Sequence, residues 1–388
     1  MKISVIATTH PNYIATKEEL EIFSGHAAGV CYMAGSFSDL VQEPEEKTEK
    51  RIGLTKGNGH HSVFGHETIN LYLEEIPKAL AMVLNNEKEY TTSEKSARYT
   101  KMIMTDDEKK VYDKWCGIFE SLIREKYQEK FPEFFSDNKI KKLAQENARY
   151  LISVFTPTSM IYSTSYRQLN VLYALFQKEI QRDNQNDFYN MLKPYMIEFC
   201  DLIRNTPYFD ETLANVGRLR HLSLINPYKY EMQQIFSDTY QTSYKASFAM
   251  LAQAQRHRTI SYNIQLPDVA EYYIPPIIKD NDDLIGQWLE DISKVKFPQG
   301  QLIRINECGS LDNFILKMYE RRCSCAQLEI NEQTTKTYQE YTTALTNNHH
   351  PRADEMKQFS KGARCTYPDF ECTSKCMFAD GIIEKRFI

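Results

Sequence analysis

Residues 253–263 read Gln-Ala-Gln-Arg-His-Arg-Thr-Ile-Ser-Tyr-Asn, and the interpretation of this chain depends on them. Arg256, His257 and Arg258 place two permanent cations and one titratable ring on consecutive positions, directly after an apolar run at 246–254 with helical periodicity. One alternative is that these bases complement the negative C-terminal end of the helix dipole. The other is that so dense a basic cluster binds an anion.

Length and composition limit the fold and the partners. The chain has 388 residues, which exceeds the usual single core and predicts two domains of similar size. A net charge of −5 argues against nucleic acid polymers as partners and favours small anionic ligands bound at local basic sites. No apolar run approaches the length of a signal peptide or a membrane span, so we expect a cytoplasmic protein with no membrane partner.

The cysteines are nine in number, which does not suggest a disulfide framework in a chain of this kind. Zinc held by Cys323, Cys325, Cys372 and Cys376 is one alternative, but the spacings differ from those of the common zinc modules. Free thiols are the other alternative, and we predict no metal ligand. Six of the nine cysteines lie in the last quarter of the chain: Cys308, Cys323, Cys325, Cys365, Cys372 and Cys376.

Short-range signals predict several elements. Thr16 and Ser36 each precede a helical pattern and predict helix starts, and Pro77 is typical of a first helical turn. Apolar and polar residues alternate at 69–73 and again at 240–244, as they do in half-buried strands. Each predicted strand is followed by a predicted helix.

Two further residues, Ser261 and Asn263, extend the basic cluster to the pattern RHRxxSxN. This form resembles the signature of the flavin-dependent thymidylate synthases, the ThyX family, whose pattern runs RHRxxSxNxxSxRY. Leu266 and Asp268 stand where that family has its second Ser and its last Arg. The second half of the chain therefore retains only the beginning of the signature.

The missing end of the signature occurs in the first half. Residues 94–99, Glu-Lys-Ser-Ala-Arg-Tyr, match the family's ExSxRY, and Asn-Glu-Lys at 86–88 stands where RHR is expected. Phe176 occupies the first-half position that aligns with Arg321. Each half thus keeps what the other has lost.

Other family elements occur in the same order. Residues 59–66, GHHSVFGH, resemble GHxSxxEH with Gly65 in place of Glu. Residues 321–330 resemble RxxSHAQxEI with Cys325 in place of His, and residues 148–169 resemble the start of the family's long central helix with its AR leader. Together with RHRxxSxN, these elements form a specific combination.

The repeated succession of strand, helix and motif predicts an internal duplication rather than a solenoid. The resemblance implies an α+β fold with two duplicated ThyX-like domains, each a mainly antiparallel sheet packed with long helices. We expect the domains at 1–204 and 205–388. Because the family forms homotetramers of single domains, a fused pair implies a homodimer.

The resemblance also implies a reaction, the reductive methylation of dUMP to dTMP at composite sites, with FAD as cofactor and methylenetetrahydrofolate and NADPH as co-substrates. Arg256 is the implied catalytic residue, stabilising negative charge on a uracil carbonyl. The residues implied for the nucleotide are Glu94, Ser96, Arg98 and Arg149 from the first half, with Gln253, Arg256 and Arg321 from the second. Those implied for the cofactors are His257, Arg258, Ser261, Asn263 and Asn313 from the second half, with His60, Ser62, Ser165 and Arg167 from the first.

Several alternatives stay open. The same chemistry on UMP is one, and a non-catalytic nucleotide-binding or flavin-binding protein is another. His60 and His66 also suit hydrogen-bonded core positions. Ser96 suits a helix cap, and Arg149 suits a helix end or an ion pair with Glu146.

Overall fold

The computed structural model shows an α+β fold, as predicted. It describes residues 1–9, 13–32, 36–96, 102–183, 186–215, 217, 219–228, 232–373, 376 and 386–388. The strands in these residues are β1 (Lys2–Ala7), β2 (Thr68–Pro77), β3 (Thr91–Glu94), β4 (Pro157–Ser165), β5 (Ile235–Phe236), β6 (Thr239–Ser247), β7 (Ser261–Gln265) and β8 (Leu302–Ser310). The α-helices are α1 (Lys17–Tyr32), α2 (Phe37–Val41), α3 (Glu45–Gly57), α4 (Lys78–Leu84), α5 (Asp106–Ile123), α6 (Asp137–Ala148), α7 (Tyr166–Ile180), α8 (Asp187–Arg204), α9 (Glu211–Ala214), α10 (Phe248–Ala254), α11 (Asp282–Ser293), α12 (Leu311–Arg321), α13 (Leu328–Asn347) and α14 (Ala353–Lys357).

The chain divides into two compact units, and each is discontinuous in sequence. Unit 1 comprises Met1–Lys95 and Pro157–Ser223, and unit 2 comprises Ser96–Thr156 and Leu224–Ile388. A segment of the first half, carrying α5 and α6, therefore packs within unit 2. The predicted boundary near residue 204 separates the two repeats of the sequence, not the two compact units, and it stays a prediction.

Unit 1 contains a four-stranded antiparallel sheet in the order β1-β2-β4-β3. Ile69, Leu71 and Leu73 of β2 are buried, as their alternation predicts. Pro77 ends β2 and is the N-cap of α4, so the chain passes directly from strand to helix. At the end of β4, the Ser165 hydroxyl accepts from the Gln168 amide and starts α7.

Unit 2 contains a sheet of the same kind in the order β5-β6-β8-β7. Strand β6 runs into α10 and strand β8 runs into α12, just as β2 and β4 run into α4 and α7. Ser247 and Ser310 cap these two helices by accepting from backbone amides three residues on.

The registers of the two sheets also correspond. Thr91, the first residue of β3, lies opposite Ser163, and Ser261, the first residue of β7, lies opposite Cys308. The main difference is in β2, whose pairing with β4 shifts register near Glu75, a non-glycine residue with φ 55°. The same topology and register occurring twice supports the predicted duplication.

The helical layer of unit 2 has an aromatic centre. Trp115 of α5 meets Trp288 of α11 edge to face, with ring centroids 4.9 Å apart and an interplanar angle of 87°. Both indoles are fully buried, and Phe119 packs against them. This layer fixes α6, and hence Arg149 in the 3-10 turn that follows it.

Within the described part of the chain, no helix combines the length and the apolar character needed to cross a membrane.

Candidate functional site

The basic cluster lies in the turn that joins α10 to β7. The His257 amide donates to the Ala254 carbonyl at 2.9 Å, and the Ile260 amide donates to the His257 carbonyl at 3.1 Å. The helix therefore ends at Ala254, two residues before Arg256, and Ser261 begins the strand. This turn presents the three basic residues at one end of α10.

His257 is neutral, which corrects the simple view of the cluster as three equivalent basic groups. Arg321 Nε donates a hydrogen bond to His257 Nε2 at 2.8 Å, so this nitrogen acts as an acceptor. Burial, together with the positive charges of Arg321 and Lys317, lowers the pKa of His257 to about 2. The imidazole thus orients Arg321 and carries its own proton on Nδ1.

Arg256 has the opposite character. Its side chain is exposed, and no ion pair or side-chain hydrogen bond joins it to the described residues. A guanidinium without an acidic partner in the protein retains its full capacity for an external anion or carbonyl oxygen.

Gln253 lies three residues earlier and is buried, with 8% of its surface exposed. Its Nε2 donates to Gln327 Oε1, whereas its Oε1 finds no donor among the described residues. A buried acceptor without a donor is costly in an empty protein, so it is suited to a ligand N–H group.

Arg149 joins this arrangement from the first half of the sequence. Its Nη2 donates to the same Gln327 oxygen, and the side chain is buried at 5% exposure. Gln327 Nε2 donates to the Tyr150 hydroxyl, which donates in turn to Glu329 at 2.9 Å. First-half and second-half motif residues are therefore bonded to one another within unit 2.

Glu329 anchors the far end of this network. It accepts from the Ser247 amide at 2.7 Å and from the Ser247 hydroxyl, which fixes the start of α10. Complete burial raises the pKa of Glu329. Gln327 and Glu329 belong to the AQxEI motif, but the resemblance assigns neither of them to the site.

The residues predicted for the flavin in the second half surround the same turn. Asn263 is buried, donates to the Leu224 carbonyl at 3.3 Å and accepts from Asn306 at 3.1 Å. Asn313 donates to the Thr259 carbonyl at 3.4 Å. Arg258 is half-buried and Ser261 is exposed.

The remaining residues predicted for the nucleotide are Glu94, Ser96 and Arg98. Glu94 is engaged within unit 1, where Lys78 Nζ lies 2.6 Å from its carboxylate and Asn85 Nδ2 lies 3.4 Å from it. Ser96 is half-buried, and Arg98 lies outside the described residues.

Four further predicted residues lie in unit 1. Ser62 and Arg167 are exposed, and Ser165 caps α7 as described above. His60 lines a cavity of about 480 Å³ whose wall also carries Lys47, Lys50 and Arg51. Exposed or cavity-lining positions are consistent with ligand contact but do not identify a ligand.

The first-half position that aligns with the basic cluster has a different use. Glu87, which aligns with His257, is buried and accepts from the Ser223 amide at 2.6 Å and from the Ser223 hydroxyl at 2.8 Å. Arg220 pairs with the same carboxylate. Phe176, the counterpart of Arg321, is fully buried. The Glu87 carboxylate is therefore occupied by hydrogen bonds and an ion pair within the protein.

Within the described residues, no group of three or more His, Cys, Asp or Glu side chains is placed to hold a metal ion.

Comparison with protein families agrees with the motifs of the first half. Residues 14–196 match the family described as thymidylate synthase complementing protein. The predicted resemblance to the ThyX family is confirmed over that region.

Solved structures of this class match about half of the chain. ThyX from Helicobacter pylori with FAD and dUMP is 15% identical, covers 56% of this chain and 100% of its own, and has a TM-score of 0.31. The UMP/dUMP methylase PolB from Streptomyces cacaoi, bound with 5-Br dUMP, is 17% identical, covers 56% and 95%, and has a TM-score of 0.32. No curated protein matches the chain. Similarity at this level assigns no substrate.

Proposed function

We propose that this chain is a flavin-dependent thymidylate synthase, which methylates dUMP to dTMP with methylenetetrahydrofolate and NADPH. Two features together carry the proposal. The Arg256 guanidinium is exposed and has no acidic partner among the described residues, and the Oε1 atom of buried Gln253 accepts no hydrogen bond from them. A uracil ring offers an N–H group and carbonyl oxygens that complement these two groups.

Unit 2 carries most of the residues that the resemblance implies for the nucleotide. Ser96, Arg149, Gln253, Arg256 and Arg321 belong to it. Under this proposal, Arg256 polarises a uracil carbonyl, and the other arginines bind the phosphate through paired hydrogen bonds. His257 holds Arg321 in place as a neutral acceptor rather than as a competing cation.

The residues around the α10–β7 turn fit a flavin. Arg258 supplies a cation for a diphosphate, and Ser261, Asn263 and Asn313 supply neutral donors and acceptors. When bound, FAD would supply the hydride-transfer chemistry, and these residues would bind and orient it. Ser62, Ser165, Arg167 and His60 stay predictions from the resemblance.

We further propose that the duplicated halves, 1–204 and 205–388, together provide one active site per chain and that two chains form a homodimer. The repeated strand order and register support the duplication. The turn at Glu87 lacks the basic cluster, and its carboxylate is bonded to Ser223 and Arg220. This supports one site per chain rather than two.

Two measurements test the proposal. The purified protein should be yellow, with the visible absorption of FAD. It should then release tritium from dUMP labelled at C5 in the presence of methylenetetrahydrofolate and NADPH. Release from labelled UMP alone would replace dUMP by UMP as the substrate, and bound flavin without any release would indicate a non-catalytic binding protein.

A further inference from the structure

The turn between α12 and α13 places two cysteines beside each other in unit 2. The Ala326 amide donates to the Cys323 carbonyl at 3.0 Å, which closes a turn over Cys323-Ser324-Cys325-Ala326. Cys325 is exposed, and Cys323 is half-buried. The turn is also held from α13, where Asn331 Nδ2 donates to the Cys323 carbonyl at 3.3 Å.

The Cys323 sulfur is surrounded by donors. The thiol and the backbone amide of Cys325 and the Arg364 guanidinium lie near this sulfur and favour its thiolate form. These neighbours lower the pKa of Cys323, whereas the interaction with the Cys323 side chain, together with burial, raises the pKa of Cys325. Cys365 also lies near Cys323, and Lys139 lies near Cys325.

This arrangement differs from that of the other cysteines with shifted pKa values. Burial raises the pKa of Cys116 to about 11 and that of Cys200 to about 12, as expected for inert structural thiols. A cation and two donors around a partly accessible sulfur are instead typical of reactive thiolates. A metal cation is disfavoured beside the Arg364 guanidinium.

The geometry also permits the two sulfurs to join. A disulfide requires a Cα separation of about 4.4–6.8 Å. The four residues of a turn span less than about 7 Å from end to end, so its first and third residues fall in that range.

We propose that Cys323 and Cys325 form a redox-active dithiol that exchanges with low-molecular-weight disulfides. The Cys323 thiolate attacks one sulfur of the external disulfide, whose S–S bond breaks and releases one thiolate. Cys325 then loses its proton and attacks the Cys323 sulfur of the mixed disulfide, releasing the second thiolate. Two electrons pass from the dithiol to the external disulfide, and an intramolecular disulfide remains.

Oxidation at this turn acts on the nucleotide residues, and this consequence rests on the proposed function. Arg321 precedes Cys323 by two residues, and Gln327 follows Cys325 by two residues. Gln327 holds both Arg149 and Gln253, while Arg321 is held by His257. Closing the turn into a ring repositions both ends, so the oxidised protein binds dUMP more weakly.

The dithiol itself is tested without reference to nucleotide. Full-length protein treated with oxidised glutathione should lose about 2 Da by mass spectrometry, mapped to a Cys323–Cys325 peptide. In the reduced protein at pH 6, iodoacetamide should label Cys323 roughly tenfold or more faster than exposed Cys31. Arg364→Ala should slow that labelling, whereas Cys365→Ser should not. A disulfide between other cysteines, or equal labelling of Cys323 and Cys31, overturns the proposal.

The effect on binding is a separate measurement. We expect the Kd for dUMP to rise severalfold on oxidation of the wild-type protein and to stay constant in Cys325→Ser. Equal affinity of both forms with the disulfide in place overturns the coupling and leaves the dithiol standing. If neither form binds dUMP while the disulfide forms as described, the proposed function fails instead.

Discussion

Arg256 is the residue whose loss best separates function from folding. Its side chain is exposed and makes no side-chain contact of the hydrogen-bond or ion-pair kind with the described residues, so Arg256→Ala should leave the melting temperature unchanged. If it stabilises charge on the uracil carbonyl, kcat/KM should fall by about 10²–10³-fold. Arg256→Lys should recover part of this loss, because Lys keeps the charge but not the planar fork.

A matched control is available in unit 2. Arg124→Ala removes a guanidinium that pairs with Asp137, and it should leave kcat/KM unaltered. Wild-type turnover in Arg256→Ala would remove the assigned catalytic residue. A parallel loss of turnover in Arg124→Ala would show that the assay reports net charge rather than the site.

Glu67 should make the stability of the protein depend on pH. The side chain is buried, Ser24 donates to one carboxylate oxygen, and the other oxygen has no partner among the described residues. Burial raises the pKa of Glu67 to about 7, so the folded state holds a proton that the unfolded chain releases near its ordinary pKa of 4.5. The free energy of unfolding should therefore fall by about 3 kcal/mol as the pH rises from about 4.5 to above 7.

Urea unfolding at several pH values measures this contribution. Glu67→Gln removes the titration and should flatten the dependence between pH 5 and 8, with its largest stabilisation at the upper end. Identical pH profiles for the wild type and the variant would mean that Glu67 does not titrate in this range.

At the scale of elements, a buried ion pair joins β8 to α12. Lys317 Nζ lies 2.7 Å from both carboxylate oxygens of Glu307, which also accepts from the hydroxyls of Tyr240 and Tyr244. Burial lowers the pKa of Lys317 despite this partner. Glu307→Gln should lower the free energy of unfolding by about 3–5 kcal/mol, because a buried ammonium loses its counter-charge.

The double variant Glu307→Gln with Lys317→Met should recover much of that loss in the same denaturation experiment, since it leaves no unpaired charge. A double variant as unstable as the single one would indicate that the hydroxyl network, rather than the ion pair, stabilises the contact between strand and helix.

The Glu87 carboxylate stabilises the turn that follows α4. Glu87→Gln removes the charge that pairs with Arg220 and weakens the hydrogen bonds from Ser223. We expect a loss of about 1–3 kcal/mol and a fall in hydrogen-exchange protection confined to the segment around residues 219–223. The Kd for dUMP should not change. A change in nucleotide affinity without local exchange would place this turn in a ligand site.

Elements with local signals were predictable from the sequence, because short-range chemistry decides them. Ser36 caps α2 in a capping box, Pro77 directly precedes α4, and the alternating residues of β6 are buried as expected. The roles of Glu87 and Gln327 were not predictable, because their partners lie more than 70 residues away in sequence. Their contacts depend on tertiary packing, of which a single sequence carries no local trace.

In the whole molecule, the sequence repeats do not coincide with the compact units. Two sheets with one strand order support a duplication, whereas the segment Ser96–Thr156 packs with the second repeat rather than with the first. As a result, Arg149 of the first half is bonded to Gln327 of the second half within one chain. Complementary loss of motif residues is tolerable in such a chain, because each fused molecule always contains both halves.

This arrangement predicts the outcome of a subunit-mixing experiment. Arg98→Ala and Arg256→Ala should each lower tritium release from labelled dUMP by about 10²-fold or more, because each removes a residue of the proposed nucleotide site. Co-expressed with different affinity tags and purified through both, the mixed dimers should stay inactive, since a site completed within one chain is damaged in every subunit. Sites completed by exchange between chains would instead leave one of the two sites intact in every doubly tagged dimer and restore about half of the wild-type activity. Wild-type protein carrying both tags controls for assembly, and restored activity in the mixture would contradict assembly of the site within a single chain.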